Sequence, residues 1–116
     1  MTAPDCLFCK IAAREIPADV IYEDDQMIAI RDINPAAPVH FLIITKSHVA
    51  SLVDAGPEHT ELLGSIQLLA SRLARQEGIA EQGFRLVNNC GKWGGQSVFH
   101  LHYHVLGGKP MGWPPE

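Results

Sequence analysis

Short apolar runs alternate with polar breaks marked by proline, glycine or paired acids along most of the chain. Val20–Glu23 and Met27–Arg31 are apolar and rich in β-branched residues, and Asp24-Asp25 splits them, which predicts a hairpin. Asn34-Pro35 and Pro38 mark a turn, and His40–Thr45 then forms a near-continuous apolar strand. Phe84–Asn88 and Phe99–Leu106 read as the last two strands, around the glycine-containing loop Asn89–Ser97. A helical period replaces the alternation once at length. Leu62, Leu63, Ile66, Leu69, Ala70 and Leu73 share one face, with Pro57 suited to the first turn and Gly78 to the stop. Cys6–Arg14 predicts a shorter helix, with Leu7, Ile11 and Arg14 at helical spacing and Pro17 beyond its end. Two helices and about five mostly hairpin-linked strands imply an α+β domain with an antiparallel sheet.

With 116 residues the chain is expected to be a single domain, residues 1–116. Hydrophobic residues make up 47% and charged residues 19%, which excludes a disordered chain. The formal charge of −4 argues against a general grip on nucleic acid. That charge is uneven. Twelve of the thirteen acidic residues precede Gln82, and no carboxylate side chain occurs from Gln82 to Pro115, where three of the six histidines lie. No apolar stretch approaches the roughly 20 residues of a membrane helix. The opening Met1–Cys6 shows no basic segment followed by an apolar run, so no signal peptide is expected. Three cysteines are an odd number for a disulfide framework, which favours a reduced, cytoplasmic protein.

The stretch Phe99-His100-Leu101-His102-Tyr103-His104-Val105 alternates strictly. In a strand all three imidazoles share one face and the apolar residues the other. In a helix His102 would swing about 200° away from His100. His100 and His104 would then be about 13 Å apart along the strand, too far for both to hold one zinc at about 2 Å. Phosphoryl chemistry fits better, because a neutral imidazole is a competent nucleophile near pH 7. The preceding loop, with Gly91, Gly94, Gly95, Gln96 and Ser97, offers backbone N–H groups and side-chain donors to an anion. Cys6-Leu7-Phe8-Cys9 reads as two reduced thiols; a structural zinc there would need two further ligands. His40 reads as a core histidine with its hydrogen bonds met, His59 as a surface residue, and Asp32 as turn chemistry before Asn34-Pro35. Cys90 is given no role, and Lys92 and Trp93 are candidate substrate contacts only by their place in the glycine loop.

The run Gly94–Gly108, containing His100-Leu101-His102-Tyr103-His104, closely resembles the signature of the histidine triad family, in its Hint branch of nucleotide-binding proteins. Phe8–Ile11, Glu15–Ala18, Asp32–Pro35, Pro38–Ile44, Lys46-Ser47-His48 and the tail Trp113-Pro114-Pro115 extend the likeness over nearly the whole chain. The resemblance implies a homodimer whose two five-stranded antiparallel sheets join, with the tail 109–116 near the partner's active site. It also implies hydrolysis of purine nucleoside phosphoramidates and aminoacyl adenylates with no cofactor needed for catalysis. By position, His102 is the nucleophile, His104 and Asn89 bind phosphate, Ser97 is a donor near the leaving group, and Gln96 is a nearby polar contact. His48 and His100 support the catalytic imidazole. Asp32 would hold the ribose hydroxyls, Phe8, Ile11 and Ile33 would wall the base pocket, and Trp113 would reach the partner's site. Bacterial relatives with a cysteine pair imply a structural zinc on Cys6, Cys9, His48 and His100. The related dinucleoside polyphosphate hydrolases and a purely regulatory nucleotide binder are the alternative functions.

Overall fold

The computed structural model describes residues 5–115. Met1–Pro4, part of the stretch read for a leader, and Glu116, the end of the tail, lie outside the described residues. In chain order the elements are helix α1 (Leu7–Ala12), strands β1 (Val20–Glu23), β2 (Met27–Arg31) and β3 (Val39–Thr45), helix α2 (Thr60–Gln76), and strands β4 (Phe84–Val87) and β5 (His102–Gly107). The strands form one antiparallel sheet in the order β1-β2-β3-β5-β4. The expected α+β class, with five antiparallel strands and two helices, is what the chain adopts.

Strand β3 is mostly apolar, with His40 and Thr45 its only polar residues, because both of its faces are covered. Phe41 and Ile43 enter a large cluster with Leu62, Ile66, Leu69, Ala70 and Leu73 of α2, while Leu42 and Ile44 enter a smaller one with Phe8 and Ile11 of α1. Leu101, Tyr103 and Val105 join the α2 side. The alternate residues His102 and His104 pair in register with Ile44 and Leu42, which puts both imidazoles on the α1 side. The pattern of the sequence thus becomes a two-sided sheet. One side carries the core, the other the histidines.

The two largest differences from the expected boundaries lie at α2 and β5, the others being one or two residues. Pro57 belongs to a separate 3₁₀ turn, Pro57–His59, and the long helix begins at Thr60. Strand β5 begins at His102 rather than Phe99; Phe99 is 55% exposed and His100 sits in a bend. One near and one distant backbone hydrogen bond hold the bend: the His100 N–H donates to the Val98 carbonyl at 3.0 Å, and Leu101 N–H to the Val49 carbonyl at 2.6 Å.

Ile66 is fully buried between α2 and the sheet. Ile66→Ala is expected to cost roughly 2–5 kcal/mol, read as a lower urea midpoint at unchanged slope. A loss below about 1 kcal/mol would show that the α2 face does not depend on this contact.

Candidate active site

His102 is 5% exposed, and its ring meets the edge of Phe8 with centroids 4.9 Å apart. Its Nδ1 lies 2.7 Å from the His100 carbonyl oxygen. A carbonyl only accepts, so Nδ1 carries the proton and Nε2 the lone pair. Asn88 Nδ2 donates to the His102 carbonyl at 2.9 Å and ties this residue to the segment after β4. Burial lowers the His102 pKa, opposed by the His100 carbonyl and the charge of Asp32. The ring is therefore held neutral, with a nucleophilic nitrogen.

His104 is half-buried, and its ring lies 5.2 Å from that of His102. Its Nδ1 is 2.9 Å from His40 Nε2. Burial, then the neighbouring His102 and His40, lower its pKa to about 4 against the opposing pull of Asp32. His40 is the functional neighbour that sequence reasoning missed. It is buried and has its hydrogen bonds met, as expected of a core histidine, but one of its partners is a triad residue. Asp32 uses Oδ1 for the expected turn, accepting from Asn34 N–H at 2.8 Å, while Oδ2 faces His40 Nε2 at 3.4 Å.

His100 is fully buried, and its ring packs on the same Phe8 as that of His102, with centroids 6.1 Å apart. Its Nε2 lies 2.6 Å from the Thr45 carbonyl, which makes Nε2 the protonated nitrogen and Nδ1 the lone pair. Around Nδ1 stand Cys6 Sγ at 3.2 Å, Cys9 Sγ at 3.5 Å and His48 Nδ1 at 3.2 Å, and Cys9 Sγ is 3.4 Å from His48 Nδ1. All four ligand atoms lie within 4.8 Å of one another. Tetrahedral zinc with Zn–S near 2.3 Å and Zn–N near 2.0 Å needs edges of about 3.3–3.8 Å, close to these separations. A carbonyl behind the ligating imidazole is the partner such a ligand normally has. The residues fit a structural zinc.

Asp32, His40 and His104 also bring ligand atoms within 4.8 Å. They do not fit a metal. The Ala36 N–H donates to His40 Nδ1 at 3.0 Å, so Nδ1 is the lone pair and Nε2 keeps the proton that a metal would have to displace.

The glycine loop turns tightly where Gly94 packs on the Cys90 backbone, which leaves no room for a Cβ, and Gly95 adopts φ +82°. Asn89 Nδ2 donates to the Gly94 carbonyl at 2.7 Å, and Ser97 is exposed. Gln96 is turned inward. Its oxygen accepts from Gly91 N–H and its nitrogen donates to the Ala50 and Val98 carbonyls, so it braces the loop. Phe8 and Ile11 are buried on α1, whereas Ile33 is 90% and Trp113 83% exposed. Arg85 donates to the Gly112 carbonyl and anchors the tail beside β4. Between them lies a cleft of about 740 Å³ lined by Arg85, Val87, Asn89, Gly95 and Lys109 among others, with no carboxylate side chain among the described residues. Val87 pairs in register with His104, so this cleft adjoins the histidine face.

The site makes a pH prediction. His104 should titrate at about 4 rather than 6.5 in an NMR titration. Because the unfolded chain takes up that proton first, stability should be complete above pH 6.5 and fall as the pH drops towards 4. A His104 midpoint near 6.5 would contradict the packing described.

Comparison with known proteins agrees with this geometry. The family model of the HIT domain matches residues 13–111. The purine nucleoside phosphoramidase of Escherichia coli is 47% identical over 110 residues, covering 95% of this chain and 92% of that protein. A HIT family hydrolase from Legionella pneumophila superposes with a TM-score of 0.95 at 52% identity, over 97% of this chain and 100% of the other. A zinc-bound histidine triad family protein from Mycobacterium smegmatis superposes with a TM-score of 0.78 at 34% identity, over 90% of this chain and 76% of that one. The chain belongs to the HIT domain family.

Proposed function

We propose that this protein is a hydrolase of purine nucleoside phosphoramidates and aminoacyl adenylates, acting through a nucleotidyl group carried on His102. The observation that carries the reading is the hydrogen bond from His102 Nδ1–H to the His100 carbonyl, which commits Nε2 to act as nucleophile. Nε2 attacks the α-phosphorus, a P–N(imidazole) bond forms, and for a phosphoramidate the P–N bond to the leaving amine breaks as the amine takes up a proton from solvent, which the water of the second step restores. Water then attacks the same phosphorus, releases the nucleoside monophosphate and returns the lone pair to Nε2. His104 and Asn89 stabilise the equatorial oxygens, each such donor typically contributing about 3–4 kcal/mol in the transition state; the N–H groups of Gly91, Gly94, Gly95 and Gln96, expected to serve the anion, are instead spent within the loop. Ser97 faces the leaving group and Asp32 the ribose hydroxyls. Phe8, Ile11 and Ile33 lie beside the base.

The same reading gives Cys6, Cys9, His48 and His100 a structural zinc, which would pin α1 and the His100 bend together and take no part in bond cleavage. It also takes the protein as a single-domain cytoplasmic homodimer, with Trp113 and the 109–116 tail near the partner's site. Cys6, Cys9 and Cys90 form no disulfide among the described residues. Among the described residues no helix is long and apolar enough to cross a membrane.

His102→Ala should lower turnover of an adenosine phosphoramidate at least about 10³-fold while leaving the fold and binding of adenosine monophosphate in place. Near wild-type turnover, or a wild-type preference for a diadenosine polyphosphate, would overturn the assignment. Protein purified without chelator should carry about one zinc per chain, and less than about a tenth of an equivalent would count against the metal site.

A further inference from the structure

Strand β5 is paired on both sides for most of its length, but not where it begins. On the β4 side the ladder stops with Val87 opposite His104. On the β3 side it runs on to Ile44 opposite His102. Thr45 N–H reaches the Leu101 carbonyl from the β3 side at 3.5 Å, and successive carbonyls of an extended chain point opposite ways. The His102 carbonyl therefore faces β4, beyond the end of that ladder. A side chain meets it there. Asn88, the residue after β4, donates from Nδ2 to this carbonyl at 2.9 Å. The next residue, Asn89, spends its own Nδ2 on the Gly94 carbonyl of the glycine loop. Two consecutive side-chain amides thus tie the strand that carries His102 to the loop beside it.

The other end of the Asn88 amide is badly placed for stability. Its Oδ1 is buried with no hydrogen-bond partner. The amide cannot turn over to relieve this, because the His102 carbonyl only accepts and must face the NH₂ end. A buried acceptor left unpaired destabilises a fold, and leucine has nearly the same shape without that atom. We propose that Asn88 is a positioning residue for His102, its amide holding the His102 peptide from the β4 side so that the imidazole stays seated on the His100 carbonyl. The role in turnover rests on the function proposed above; the hold on the imidazole does not. His102 is then anchored twice, by its ring to the residue two before it and by its carbonyl to the segment after β4. An attacking nitrogen needs such anchoring, since a misplacement of about 1 Å can slow a reaction on the order of a hundredfold.

NMR of the full-length protein, purified without chelator, reads the contact as a coupling across the hydrogen bond from Asn88 Nδ2 to the His102 carbonyl carbon. It reads the consequence as the rate at which the His102 Nδ1–H exchanges with water. Asn88→Leu and Asn88→Asp both remove the donor, but leucine also removes the unpaired acceptor whereas aspartate keeps it and adds a charge. Asn88→Leu should therefore keep or raise the urea midpoint and Asn88→Asp should lower it. In both, kcat for an adenosine phosphoramidate should fall about tenfold with a smaller change in KM, and His102 Nδ1–H exchange should quicken by about the same factor. A kcat that merely follows stability, unchanged in Asn88→Leu and reduced only in Asn88→Asp, overturns the proposal. So does a lowered midpoint or failed folding of Asn88→Leu, which would make the contact a structural one. The wild-type spectrum needs no variant, and absence of the coupling overturns the proposal by itself. A wild type with the coupling, and variants with the faster exchange, but no phosphoramidate turnover would overturn the function proposed above and leave the hold on the imidazole standing.

Discussion

The hydrogen bond between His102 Nδ1 and the carbonyl of His100, 2.7 Å long, is the constraint on which the rest of the site depends. It joins a side chain to the backbone two residues earlier, so it exists only if His100 leaves the strand and His102 begins it. The bend that allows this is held on several sides. Leu101 N–H reaches the Val49 carbonyl, the His100 ring reaches the Thr45 carbonyl, and Cys6, Cys9 and His48 gather on its other nitrogen. The four-residue cluster and His102 are thus two ends of one backbone turn.

Burial gives these contacts their force. Imidazoles are costly to charge away from water, and the α1 side of the sheet lowers the pKa of His100, His102 and His104, burial being the first cause in each. Neutral rings must each choose one nitrogen for the proton, and in each case a fixed backbone or side-chain group makes the choice. Thr45 and His100 do so through carbonyls, and Ala36 through an amide that acts by way of His40. The larger cluster between α2 and the sheet supplies the rigidity that keeps these groups in place. The cleft beside β4 continues the same face.

Much of this was legible in the chain. The strict alternation after Phe99 correctly placed Leu101, Tyr103 and Val105 opposite His102 and His104, because period two is a property of any strand. Its starting point was not legible, since the bend at His100 arises from contacts with residues more than 50 positions away. His40 was hidden for a related reason. Its apolar neighbours Phe41 and Leu42 suit a core position, and only the β3–β5 register brings it to His104. A histidine on the same parity as Leu42, in an apolar strand that pairs with the triad strand, was the available signal. Gln96 illustrates the converse, a polar residue in a glycine loop whose amide is spent on the loop itself. The cysteine pair alone left its partners open; the family resemblance supplied His48 and His100, and the structure gathers all four.

The most direct test of the central claim is to acid-quench the protein during turnover of an adenosine phosphoramidate and measure its intact mass, then map any adduct by fragmentation. The expected result is one adenylyl group per chain, attached to His102, and absent from His102→Ala. An adduct on another residue, or steady turnover with no adduct under conditions that trap nucleotidyl-imidazole, would contradict it.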